Sequence, residues 1–472
     1  MLKRISGPIE QAPPEGSLYA RSDDPGRDDA YFEEWRTREL SRIDHARLTY
    51  LDFTGAALYP ASLVREDAER LALRVLGNPH SENAPSRDAS ADLEDARAAI
   101  LEFVHASPDD YVAIITANAT AAARLVAESF PFEAGSVLAL AADNHNSVNG
   151  IREYARARGA ELCTIALDAK LRLHDPIPVL ETRARLPSLF SYPAQSNFSG
   201  VRHPLALIAE AHERGWRVLL DAAAFVPTAD LDLSRTPADF VTLSLYKITG
   251  YPSGIGALIA RRDALTELRR PWFSGGTVEW VSVQHGRHRL SAGAGAFEDG
   301  TVPFLALGGV RPALSMIRTV GRERLARHLR GLTSRLLRGL TELRHANGRS
   351  VVRIHGPTDL ADRGATVAFT MYDAAGVVVP YWDVESGARE SRIAVRGGCF
   401  CNPGCAESAF AFAERQTMHC FDQLGVGFTI PRFAECLGGR AVGAIRSSLG
   451  LGSVRRDVER LVEFVGRYRA AA

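Results

Sequence analysis

Between Tyr111 and Ala260 the chain repeats one pattern: a run of four to six mostly apolar residues, bounded by turn residues and in most cases followed by a helical stretch. The runs are Tyr111–Ile115, Ser136–Leu140, Glu161–Ala166, Leu189–Tyr192, Arg217–Leu220, Phe240–Ser244 and Gly256–Ala260. Helical patterns cover Ala89–Val104, Ala119–Phe130, 148–158 and 204–215. Short Val/Ile/Leu/Ala strands spaced by helices bury both faces of a sheet, which predicts an α/β architecture with a mostly parallel sheet. In such a sheet ligands bind at the carboxyl ends of the strands.

Outside this core the texture changes. Residues 1–48 read as an extended arm followed by a short helix at Asp29–Ile43, an arrangement suited to wrapping a partner subunit. Residues 49–304 form the expected large domain, and 305–472 a smaller α+β domain. The latter holds a long Arg-rich amphipathic helix at Leu305–Ala346, strands near Val351–His355 and Thr366–Met371, and helices at Glu407–Cys420 and Val454–Arg469.

The 56 basic and 56 acidic residues cancel, so no global field draws the chain to nucleic acid or to an anionic membrane. The Arg-rich helix reads as a solvated face. No apolar run reaches membrane-spanning length, and Met1–Pro8 lacks the apolar stretch of a secretory signal. Six cysteines in 472 residues are too sparse for a disulfide scaffold, so a reducing, cytoplasmic setting is expected. Three of them, Cys399, Cys401 and Cys405, nevertheless fall within seven residues.

Two strand ends carry the most chemistry. Arg217–Leu220 runs into Asp221, and 26 residues later Phe240–Ser244 runs into Leu245-Tyr246-Lys247. A pyridoxal phosphate site needs a Lys amine for a Schiff base and a carboxylate against the ring nitrogen, both at strand ends of one parallel sheet. The plainer alternative makes Asp221 a helix cap and Lys247 a solvated loop residue. Ile115–Thr120 follows a strand and opens a helix, so its N–H groups and Thr120 can hold a phosphate, or simply cap that helix. Asp143–Ser147 places the His145 imidazole at the same rim, either beside a planar cofactor or as an ordinary loop histidine.

These segments, with Gly77–Ser81, Ser196–Gly200, Asp221–Ala223 and Ser244–Lys247, resemble in order and spacing the class V pyridoxal-phosphate-dependent aminotransferases, from about Tyr50 to Leu449. Within that family the chain is most similar to the cysteine desulfurase branch, and there to the N-terminal domain of molybdenum cofactor sulfurases. Arg396–Gly404 is the most specific segment for that sub-branch. The resemblance implies the aspartate-aminotransferase-like fold, fold type I. It implies Lys247 as Schiff-base lysine and acid/base, Asp221 as partner of the ring nitrogen, and His145 stacked on the ring. Ala119, Thr120 and Ser244 become phosphate contacts, with Thr301 completing the phosphate site of the neighbouring subunit in a homodimer. Asn197 falls beside the phenolic oxygen, and Arg446, with Arg396, meets the substrate carboxylate, which an Arg fork suits better than a Lys.

Three departures stand against the family pattern. Ala224 occupies the place where many members have Gln or His, and Tyr246 replaces a His before the lysine. The cofactor-sulfurating members also carry a downstream domain, for which no room is expected after Ala472. The Cys399–Cys405 cluster admits three readings: a metal site, although its spacing is unusual for zinc; buried inert thiols; or a nucleophile on a loop that Gly397, Gly398, Pro403 and Gly404 make mobile. The motif favours Cys401 as nucleophile, with Cys399 and Cys405 as relays, and no metal site is expected. Gly254-Ile255-Gly256 reads as backbone passing close to the cofactor, not as a nucleotide loop. The expected activity is cleavage of the C–S bond of L-cysteine to alanine, leaving a persulfide on Cys401 for a protein or small-molecule sulfur acceptor. The alternatives are a class V lyase, decarboxylase or aminotransferase acting on another amino acid, or a non-catalytic sulfur-carrier scaffold.

Overall fold

The computed structural model describes residues 25–181 and 186–469. Its main sheet has seven strands: β1 Tyr111–Thr116, β2 Val137–Ala141, β3 Glu161–Ile165, β4 Leu189–Pro193, β5 Arg217–Asp221, β6 Phe240–Ser244 and β7 Gly256–Arg261. Their spatial order is β1-β7-β6-β5-β4-β2-β3. Six run parallel, and β7 alone is antiparallel to both its neighbours, β1 and β6. Side chains alternate between two cores. Val218 and Leu220 of β5 join one, and Leu219 joins the other with Leu138, Leu189 and Leu258. Burying each such side chain stabilises the fold by about 1.5–3 kcal/mol, which is why these runs carry so few polar residues.

Helix α1 (Pro25–His45) precedes the sheet and is longer than the sequence suggested. The expected arm ahead of it, residues 1–24, lies outside the described residues. Phe32 of α1 stacks on His328, and Arg36 pairs with Asp457 in a buried contact, so α1 lies against the C-terminal part of the chain. Helix α2 (Ala84–Phe103) begins where Asn83 accepts the Ser86 N–H, and α3 (Ala119–Ser129) where Asn118 accepts the Ala121 N–H. Each cap satisfies an orphan donor of the first turn, worth about 1 kcal/mol.

The continuous helix expected at 305–346 is three: Phe304–Leu307, α4 Val310–Val320 and α5 Arg322–Thr341. Gly321, at φ +87°, breaks the last two apart, a backbone value that costs a side-chain-bearing residue far more than glycine. The face of α5 bearing Leu325, Leu329, Leu332, Leu336 and Leu340 is buried. A second sheet contains β8 Val352–His355, β9 Thr366–Tyr372, β10 Val378–Val379, β11 Arg396–Gly398 and β12 Ala444–Ser448. The order is β8-β9-β12-β11, with β10 also on β9. The helix expected at 407–420 is likewise divided, into α6 (Pro403–Phe410) and α7 (Glu414–Leu424), with Ala411 left-handed between them. Two short elements follow: α8 (Ile430–Cys436), then β12, before the terminal α9 (Arg455–Gly466). Among the described residues no helix is long and apolar enough to cross a membrane.

Candidate active site

The carboxyl ends of β1, β2, β4, β5 and β6 converge on one cavity of about 130 Å³. It brings together Ala119, Thr120, His145, Asn197, Asp221, Ser244 and Lys247, with Ser147, Gln195 and Tyr246 beside them. Asp221 closes β5 and is 9% exposed; its Oδ1 accepts the Ala223 N–H at 3.0 Å and the Thr242 hydroxyl at 3.2 Å, which fixes the carboxylate's orientation. Lys247 sits on the single helical turn Leu245–Ile248 after β6. Burial pushes its ammonium pKa down, Asp221 opposes that, and the charges of Arg446 and Arg396 push it down further. The result favours a neutral amine more than an ordinary lysine would.

His145 accepts the Ser147 N–H at Nδ1, at 3.1 Å, with the Ser147 hydroxyl 2.8 Å from the same atom. That engages the Nδ1 lone pair, so the ring is the Nε2–H tautomer, and burial followed by the charge of Lys247 lowers its pKa. At the other end of the cavity the N-terminus of α3 meets hydroxyls. The Ala119 N–H donates to Ser244 Oγ at 2.8 Å, and Thr120 Oγ1 lies 2.7 Å from Ser147 Oγ. Gly256 makes this approach possible, because a Cβ there would stand 2.5 Å from Asn118 Cα. A helix N-terminus with three hydroxyls suits a phosphate, and a carboxylate and an amine on adjacent strand ends suit a pyridine ring bearing an aldehyde.

The wall facing this floor is made of distant residues. Arg446 of β12 is 2% exposed; its NH1 donates to the Asn197 carbonyl at 3.0 Å and its NH2 to Asp52 Oδ1 at 2.8 Å. Arg396 of β11 is half-exposed and donates through NH2 to Asp52 Oδ2 at 2.6 Å. One carboxylate thus joins both arginines. The Arg446 guanidinium lies 4.8 Å from the Phe400 ring centre, and its buried Nε has no partner among the described residues.

Cys401 is exposed, Cys399 half-buried and Cys405 buried. These unlike settings do not gather the three sulfurs as a ligand set, and among the described residues no group of three His, Cys, Asp or Glu is placed to hold a metal. Burial pushes the Cys405 thiol well up, which disfavours the thiolate that a relay would need. The loop is tied to its surroundings by hydrogen bonds. Asn146 N–H donates to the Cys401 carbonyl at 2.7 Å, and Asn197 Nδ2 to the Phe400 carbonyl at 2.7 Å. Asn402 Nδ2 reaches the Asp143 carbonyl at 2.6 Å and Asn197 Oδ1 at 2.9 Å. These bonds hold Phe400 and Cys401 at φ 58° and 55°, left-handed values that cost non-glycine residues about 1–2 kcal/mol each.

Thr301 is not brought to this cavity within the chain. Its hydroxyl lies 3.4 Å from Asn78 Nδ2, and it borders separate hollows, one with Gly77 to Ser81 and one with Thr116 and Arg124. One cysteine pair departs from a fully reduced set: Cys420 and Cys436 form a disulfide joining α7 to α8. Read from the sequence, Asp52, Ser147, Gln195 and Asn402 carry no individual role, although Ser147 and Asn402 lie in segments singled out there. A lone acid within the apolar Tyr50–Phe53 run marked Asp52, and an Asn directly before Pro403 marked a helix cap; nothing local marked Gln195.

A lysine and an acid on neighbouring strand ends, facing a helix N-terminus, define a pyridoxal-phosphate-dependent enzyme of fold type I. The family model for aminotransferase class V matches residues 49–461, and the chain belongs to that family. Similar curated proteins are the molybdenum cofactor sulfurases of Arabidopsis thaliana, 32% identical over 95% of this chain and 59% of that protein, and of Danio rerio, 34% identical over 91% and 54%. The chain therefore spans little more than half the length of these curated relatives. Among solved structures, the apo cysteine desulfurase of Thermococcus onnurineus NA1 superposes with a TM-score of 0.75 at 23% identity, covering 92% of this chain and 97% of that one. The Escherichia coli cysteine desulfurase CsdA gives 0.72 at 23% identity over 93% and 98%. These structures share the fold, and the relatives agree with the branch resemblance read from the motifs.

Proposed function

We propose that the chain cleaves the C–S bond of L-cysteine, releasing alanine and retaining the sulfur as a persulfide on Cys401, for transfer to a protein or small-molecule acceptor. The observation that supports this reading most is the exposed Cys401, pinned at a left-handed corner against the His145 loop and close enough to Lys247 to act on its charge. Bound pyridoxal phosphate would supply an electron sink for charge developing at the substrate α-carbon. Lys247, Asp221, His145, Asn197, Ala119, Thr120 and Ser244 are the residues that would hold it. In this reading Asp221 sets the charge at the ring nitrogen and His145 offers its ring face and Nε2–H. Thr301 completes the phosphate contacts across a homodimer.

The chain's own groups then divide the work. Arg446, backed by Asp52 and Arg396, takes the substrate carboxylate and sets its orientation. Lys247 Nζ, whose burial favours the neutral amine, takes the α-proton and returns a proton. The Cys401 thiolate attacks the substrate sulfur; the S–S bond forms as the C–S bond breaks, so cysteine plus thiol become alanine plus persulfide, with atoms and electrons balanced. The Arg446, Arg396 and Asp52 cluster supports an α-amino acid substrate whichever bond is cleaved, so the sulfur chemistry is what needs testing.

With L-cysteine and a reductant the protein should yield alanine and sulfide, and without the reductant mass spectrometry should find one added sulfur on the Cys401 peptide. Cys401→Ser should lose both while keeping the absorption of the lysine-bound cofactor. Indifference to cysteine, or a Cys401→Ser variant with undiminished turnover of another amino acid, would transfer the assignment to a class V lyase, decarboxylase or aminotransferase.

A further inference from the structure

A cavity of about 220 Å³ opens beside α5, away from the substrate wall, and four of its eleven lining residues are arginines: Arg202, Arg327, Arg330 and Arg363. No lining residue is acidic. A solvated Arg-rich helix face explains Arg327 and Arg330, which are exposed on α5, but it does not explain the other two. Arg363 is buried and spends its donors on the carbonyls of Ser199, Pro357, Gly364 and Thr366, which makes it a fixed positive floor. Arg202 is half-buried. Its Nε donates to Gln195 Oε1 at 3.0 Å, its guanidinium lies 5.4 Å from the Phe225 ring centre, and NH1 and NH2 have no acceptor among the described residues. Burial alone pushes its pKa down, since no carboxylate compensates it. Of the four arginines only Arg327 has an ion-pair partner among the described residues, Asp28 at 3.3 Å.

A second observation points to a ligand independently. Thr228 lines this cavity, and its hydroxyl is buried with no hydrogen-bond partner among the described residues. A partly buried guanidinium such as Arg202, with two nitrogens unpaired and no carboxylate beside it, costs free energy that a bound anion recovers. The volume lies below the roughly 300 Å³ and more of pockets for drug-sized ligands, so it suits one compact anionic group. Guanidinium forks match tetrahedral oxyanions in particular.

We propose that this pocket binds a phosphate-type oxyanion, as the free ion or as the phosphate end of an ester. The site is coupled to the cofactor cavity. Gln195, held by Arg202, lines that cavity and donates through Nε2 to the Ala224 carbonyl at 2.9 Å, and Thr228 also borders the hollow that reaches Lys247. Ala224 is the position where the family often has Gln or His, and here Gln195 reaches the same backbone from β4.

The test is calorimetric titration of inorganic phosphate into the cofactor-loaded protein, whose own phosphate cradle is then filled, at constant ionic strength against a chloride control. Saturable binding at one site is expected, and Arg202→Gln should weaken it roughly ten- to a hundredfold, the scale of hydrogen bonds to a charged group. Arg330→Gln, an exposed rim change that leaves the fold intact, should weaken it in the same direction. Glycerol 3-phosphate binding more tightly than the free ion assigns the pocket to an ester, and equal or weaker binding assigns it to the ion. Phosphate heats no larger than those of chloride, or undiminished affinity in the Arg202→Gln, Arg330→Gln double variant, would overturn the proposal.

Discussion

The floor of the cofactor cavity and the wall above it both rest on backbone pairing, but the floor joins neighbouring stretches of chain and the wall joins distant ones through shared charges. Asp221 and Lys247 stand 26 residues apart, at the end of one strand and just past the end of its neighbour, and the ladder that pairs Asp221 with Thr242 brings them together. Asp52 and Arg446 are 394 residues apart; backbone pairing of Asp52 with Ser448 and of Arg396 with Arg446 brings them together, and the Asp52 carboxylate then joins both arginines, with Asn197 supplied by a further segment. A floor built on backbone pairing tolerates loss of a side chain and changes only its chemistry. In the wall, where one carboxylate joins two arginines, loss of a side chain also leaves its charged partners unpaired.

The largest effect that would sharpen this contrast is expected at the floor. Asp221→Asn should fold and bind cofactor normally yet slow α-proton exchange of a verified substrate by about a hundredfold or more, the scale of a few kcal/mol for a lost charge partner. Exchange at the wild-type rate, followed by NMR in deuterated water, would remove Asp221 from its role. At the wall, Asp52→Asn leaves both arginines without their carboxylate. The expected outcome is a KM for the amino acid raised roughly ten- to a hundredfold with a smaller change in kcat, together with a lowered melting temperature. A kcat loss at unchanged KM would break the comparison by making Asp52 part of the floor's chemistry.

The smallest effect concerns pH. His355 lies beneath the cysteine loop, packed edge-on to Phe198 and Phe410, and burial lowers its pKa to about 4. A histidine depressed from the unfolded value near 6.5 contributes stability that is complete above that value and is lost as pH falls toward 4. Between pH 7 and 5 this amounts to about 2 kcal/mol. Denaturant titrations should show that slope, and His355→Gln should flatten it. An unchanged slope would separate the loop's support from His355.

The lysine, the acid and the strand-to-helix phosphate segment were legible because each depends on local pattern: a buried run, its last residue, and the turn that follows. Strand positions were legible for the same reason, since a strand buried on both faces must be apolar throughout. The direction of β7 was not, because antiparallel and parallel neighbours bury the same side chains. The breaks at Gly321 and Ala411 were overlooked because amphipathic periodicity continues across them. The sequence by itself determined an α/β sheet that ends in an acid and a lysine, since hydrophobic burial acts on every residue of a short strand. Only the tertiary structure decided that Asp52 bridges two arginines, that Cys405 is buried while Cys401 is exposed, that Asn402 and Asn146 pin a loop rich in glycine, and that Arg202 faces a pocket without an acid. Those outcomes depend on which side chains meet across hundreds of residues, and the energy of such a meeting is written in neither partner alone.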